Sequence, residues 1–119
     1  MVGGGSFERF SAKPQGDGHP VLLLPGFMGS EGSLIALEVF LRNRGYAVQT
    51  WGLGRNVGFR PGHASALEQK IRYMHHKSGR KVSLVGWSLG GMFAMHGAHE
   101  ATECVRSVIT LGSPVTMDP

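Results

Sequence analysis

"SLVGWSLGGMF", Ser83–Phe93, joins an apolar run to a small-residue stretch through Gly86-Trp87-Ser88-Leu89-Gly90. The G-x-S-x-G pattern is weak by itself in a chain of 119 residues that holds 19 glycines. Its setting carries more. "KVSLV" before it reads as a strand, and "GMFAMHGAHE" after it reads as a helix. A sharp strand-to-helix turn would push Ser88 into a strained backbone conformation and lift its hydroxyl above the sheet. The strand and helix would then pass so closely that side chains two residues either side of the serine clash. Gly86 and Gly90 remove that clash, and Gly91 adds room. Leu89 opens the helix, so its N–H has no helical acceptor and can hold a developing oxyanion. The plainer alternative is that Ser88 simply caps the helix, since serine is a preferred N-cap.

Working outward, "VLLLPG" is a continuous apolar run stopped by Pro25–Gly26, as in a strand buried on both faces. "SLIALEVFLRNRG" sets Leu34, Leu37 and Leu41 on one helical stripe with Phe40 beside it; Ser33 is its expected N-cap and Gly45 its stop. "YAVQTW" is a second strand, followed by a loop, "LGRNVGFRPGH". "ASALEQKIRYMHHKSG" carries Leu67, Ile71 and Met74 at helical spacing and closes at Gly79. "KVSLVG" is the third strand and "VRSVITLG" the fourth. Met92, Phe93 and Met95 are expected in the core. The order β-α-β-α-β-α-β predicts an α/β fold, a doubly wound parallel sheet of about four strands with flanking helices. Chemistry in such sheets gathers at the carboxyl ends of the strands. There "LLLPGFMGS" offers a second main-chain donor, the N–H of Phe27, to complete a two-donor oxyanion hole with Leu89.

Composition limits the alternatives. Apolar residues make up 41% and charged residues 17%, a globular balance. The net charge of +4 raises a nucleic-acid role, but the basic residues are scattered and form no binding motif. The single cysteine, Cys104, has no internal disulfide partner and reads as a small buried hydrophobe. No His, Cys, Asp or Glu set has metal-ligand spacing, and no cofactor is implied. The N-terminus lacks the pattern of a secretory leader, so a cytoplasmic location is the expectation. Residues 1–19 read as a flexible lead-in, and residues 20–119 as the domain.

Together, "VLLLPGFMGS", "GYAVQTWGLGRNVG", "VSLVGWSLGG" and "VRSVITLGSP" resemble the α/β-hydrolase superfamily, in particular bacterial lipase- and esterase-like hydrolases, over about residues 20–119. The resemblance implies Ser88 as nucleophile, Phe27 and Leu89 as oxyanion-hole donors, and the strand order 4-3-5-6 in the family's own strand numbering. It also implies a triad in the order Ser, Asp or Glu, His, with the acid and the His on later strands. Both would then lie beyond residue 119, making this the N-terminal portion of a larger, truncated hydrolase domain. Asp118 is a minor candidate for the acid and otherwise a turn residue. His63, in the loop after the second strand, is a minor candidate pocket residue. His19, His75 and His76 read as solvated or capping, and His96 and His99 lie too far along the helix after Ser88 to reach it. Arg55 and Asn56 either line the pocket or form a turn. Trp87 and Phe27 either build an apolar acyl pocket or pack. The expected function is hydrolysis of a small-molecule or lipid ester through an acyl-enzyme. The alternatives are a thioesterase or acyltransferase, or a non-catalytic module associating through the bare strand 105–111.

Overall fold

The computed structural model describes residues 16–26, 31–54, 56, 58, 60 and 62–112. In chain order they form β1 (Pro20–Leu24), a 3-10 turn (Glu31–Leu34), α1 (Ile35–Asn43), β2 (Ala47–Thr50) and α2 (His63–Ser78). These are followed by β3 (Val82–Trp87), α3 (Leu89–Glu100), a second 3-10 turn (Thr102–Cys104) and β4 (Val105–Leu111). The strands make one parallel sheet in the order β2-β1-β3-β4. This is the order expected from the resemblance. The chain leaves β1 in one direction to build β2, then crosses back over β1 to build β3. The winding therefore reverses between β1 and β3, the point at whose carboxyl ends open α/β sheets place their ligands.

All five residues of β1 are buried, which explains why its sequence is uniformly apolar rather than alternating. Its side chains divide by pleat. Val21 and Leu23 join Val48, Val85 and Leu34 on one face, with Leu37 and Leu41 of α1 packed over them. Leu22 and Leu24 join Val82 and Leu84 on the other, beneath Leu67, Ile71 and Met74 of α2 and Phe93 and Ala94 of α3. Trp51, just after β2, stacks on Phe93 with ring centroids 6.0 Å apart. The sheet is thus wound on both faces, as right-handed crossovers require. Cys104 is buried in the same core.

Gly45 (φ 92°) and Gly79 (φ 72°) sit beyond the ends of α1 and α2, in the left-handed conformation that stops a helix. Two expectations fail. Ser33 does not cap α1: it lies inside the 3-10 turn, and Leu34 occupies the cap position. Met92 and Met95 are not core. They are 43% and 50% exposed, because α3 turns Gly90, Gly91, Phe93, Ala94 and Gly97 inward and these two outward.

Candidate active site

β3 ends at Trp87 and α3 begins at Leu89, so the whole change of direction falls on Ser88. Its backbone takes φ 56° and ψ −123°. Side chains rarely adopt a positive φ, and holding one there costs about 1–3 kcal/mol. Two main-chain bonds grip the turn. The Ser88 N–H donates to the Leu111 carbonyl at the end of β4 (2.8 Å), and the Gly91 N–H donates to the Ser88 carbonyl (2.8 Å). Ser88 occupies the N-cap position, yet its side chain makes no capping hydrogen bond. The plain helix-cap reading therefore fails.

The flanking glycines fit this geometry closely. A Cβ on Gly86 would fall on the Gly90 carbonyl and within 2.5 Å of the Gly91 Cα. A Cβ on Gly90 would come within 2.5 Å of the carbonyl oxygens of Leu24 and Pro25. The start of α3 is therefore pressed against the carboxyl end of β1 by backbone-on-backbone contact. As the first residue of α3, Leu89 has an amide with no acceptor inside the helix. The helix dipole adds partial positive charge there, and no acidic residue in the first turn opposes it.

The turn after β1 approaches the same point. A Cβ on Gly26 would lie 2.9 Å from the Trp87 carbonyl and 3.1 Å from Cβ of Ser88. Phe27, the second expected donor, lies outside the described residues, as do Arg55 and Asp118. The support beneath this turn is Asn56, whose side chain is wholly buried. Its Nδ2 donates to the Pro25 carbonyl (2.8 Å), and its Oδ1 accepts from the Gly58 N–H (3.0 Å). Asn56 thus braces the site from below instead of lining a pocket.

The histidines divide. His63 opens α2 instead of sitting in a loop. Its Nδ1 accepts from the Arg60 N–H at 3.3 Å and its ring meets Trp51 edge-on. His75 Nδ1 lies 2.9 Å from the Arg80 carbonyl, just past its helix end as expected, and His76 is exposed. His96 and His99 are exposed on α3. His19 is neither solvated nor a cap. It is 8% exposed, and its Nε2 shares a hydrogen bond with Ser83 Oγ at 2.8 Å; Ser83 Oγ in turn lies 2.9 Å from Ser107 Oγ. Burial, with Arg106 and Arg80 adding, holds its pKa below the usual imidazole value. It stands at the opposite end of the sheet from Ser88. Trp87 is 51% exposed beside Ser88, so it is not core packing, and Met92 one turn up is also exposed.

Among the described residues no group of three or more His, Cys, Asp or Glu could hold a metal ion, and no helix is long and apolar enough to cross a membrane. No family model matches the chain. It is 29% identical over 102 residues to a pimeloyl-[acyl-carrier protein] methyl ester esterase of Vibrio vulnificus, covering 83% of this chain and 38% of that protein. The chain thus spans about two fifths of the length of the curated relative it matches. A Bacillus licheniformis lipase in its mature form superposes with a TM-score of 0.67 at 28% identity, over 85% of this chain and 43% of the lipase. A Paleococcus ferrophilus monoacylglycerol lipase has the same fold, with a TM-score of 0.60 at 19% identity, over 82% of this chain and 40% of that chain. In fold and sequence the chain is thus similar to α/β-hydrolase esterases and lipases.

Proposed function

We propose that this chain carries the nucleophile and the oxyanion hole of a carboxylic ester hydrolase. The observation that carries the reading is Ser88: a strained backbone at a strand-to-helix turn, with a hydroxyl that makes no capping bond. Ser88 Oγ attacks the ester carbonyl and displaces the alcohol, forming an acyl-enzyme. The amides of Leu89 and Phe27 hold the oxyanion of the tetrahedral intermediate. Gly26 supports the Phe27 assignment, because it brings the turn after β1 against Ser88. Water then releases the acid. A hydroxyl needs a neighbouring base to lose its proton. As the resemblance implies, that base is a His, oriented by an acid, and both come from chain beyond residue 119. Exposed Trp87 and Met92 beside the nucleophile favour an ester with an apolar acyl or alcohol part.

A fluorophosphonate probe tests this on the longer protein that contains these residues. The expected adduct maps to Ser88 and is absent from Ser88→Ala. Labelling at another residue, or equal labelling of the variant, refutes the nucleophile. The 119-residue chain itself is expected to hydrolyse a p-nitrophenyl ester poorly. Its ceiling is the roughly 10³–10⁴-fold acceleration over water that an oxyanion hole and binding sustain without a working triad. Ser88-dependent turnover at ordinary enzyme rates would show that the base lies within the chain.

A further inference from the structure

We propose that the amino-terminal end of the sheet binds a dianionic oxyanion of phosphate size, in the cavity lined by Gly16, Asp17, His19, Arg80, Lys81 and Arg106. The cavity measures about 420 Å³. It lies away from the proposed nucleophile. Gly16–His19 lead into β1, Arg80 and Lys81 lead into β3, and Arg106 is the second residue of β4. Ser88 follows the far end of β3, roughly 20 Å along a six-residue strand.

Charge is the first argument. Three fixed cations face one carboxylate, a surplus of two positive charges. Asp17 is committed to Arg80: Nη2 lies 3.5 Å from its Oδ2, and Nη1 donates to its carbonyl at 2.7 Å. No ion pair among the described residues involves Lys81 or Arg106. An arrangement of like charges on one cavity is stabilised by an anion of matching charge, and guanidinium groups suit the planar edges of a tetrahedral oxyanion.

Backbone geometry is the second. The β3–β4 register runs Val82 to Val105 and then Ser83 to Ser107, so Arg106 has no partner across the ladder. Such irregularities re-aim a side chain, and Arg106 is a wall of this cavity. The third argument is His19, nearly buried, whose Nε2 is engaged with Ser83. Its Nδ1 makes no hydrogen bond among the described residues. The groups facing it are Arg80, Lys81, Arg106, Asp17 and, edge-on at 6.3 Å, Tyr46. Burial and the neighbouring arginines disfavour its cationic form. A bound anion reverses that, so anion and proton bind cooperatively.

Calorimetric titration of the 119-residue protein at constant ionic strength tests the site. Inorganic phosphate and phenyl phosphate are expected to bind at least tenfold more tightly than chloride. Tighter binding of phenyl phosphate identifies a phosphomonoester ligand; equal binding identifies free phosphate. The double variant Lys81→Gln/Arg106→Gln should lose tenfold or more. The charge-matched Lys70→Gln/Lys77→Gln should lose little, and melting curves confirm that both are folded. Sulfate, which does not titrate here, should bind more tightly as pH falls from 8 to 6. Absence of selectivity over chloride, or equal losses in the two double variants, overturns the proposal.

Discussion

Replacing Ser88 by glycine and, separately, by alanine isolates the strain in the turn from its chemistry. Both variants remove the hydroxyl, so neither should react with a fluorophosphonate. They differ in what the backbone tolerates. At φ 56° and ψ −123° an alanine keeps the Cβ that makes this region costly, about 1–3 kcal/mol, whereas glycine does not. Against this, glycine gives the unfolded chain more freedom, a penalty of about 0.4–1 kcal/mol. The difference leaves Ser88→Gly more stable than Ser88→Ala by about 1 kcal/mol. That inverts the order seen at ordinary helical and extended positions. In a domain of this size it is about 4 °C in Tm, readable by circular dichroism or by the urea midpoint at unchanged slope. If the alanine variant melts at or above the glycine variant, Ser88 is not held in the strained turn, and the geometric case for its hydroxyl falls with it.

Asn56→Ala leaves the Pro25 carbonyl and the Gly58 amide without their side-chain partner, and should lower the urea-derived stability by about 1–3 kcal/mol. In the longer protein it should also slow acylation of Ser88, since the turn it braces leads to the proposed second donor. His19 has a folded-state pKa below its unfolded value, so the unfolded chain takes up the proton first. The stability it contributes is complete above the ordinary imidazole value near 6.5 and is lost as pH falls through the lower folded value. Melting curves should show this slope in the wild type and a flatter one in His19→Gln. Finally, β4 pairs only with β3 among the described residues and carries Ile109 at 49% exposure, so the 119-residue chain should self-associate. Light scattering should then give masses above 12.8 kDa and a smaller value for Ile109→Lys; a clean monomer at high concentration would count against it.

Much of this architecture was legible locally. Four strand-like runs set the number of strands and their alternation with helices, their order across the sheet came from the resemblance, and the spacing of Leu67, Ile71 and Met74 set the buried face of α2. Gly86 and Gly90 could be assigned from the demands of the turn alone, and the backbone contacts at both bear that out. What escaped depends on partners distant in sequence. Asn56 meets Pro25 across 31 residues and His19 meets Ser83 across 64, and neither leaves a periodic trace. Met92 and Met95 misled because apolarity was read without phase: α3 has so many small residues that its inward face shows only in three dimensions. Phe27 and Asp118 lie outside the described residues.

The bond from the Ser88 amide to the Leu111 carbonyl has an implication for how the domain tolerates change. β4 is tethered twice, by the pairing of Val105 with Val82 at its start and by this bond at its finish. Between those tethers its length is calibrated to a single residue. An insertion or deletion there would present the wrong carbonyl to the turn, so the outermost strand acts as a ruler for the serine although it contributes no atom to the reaction.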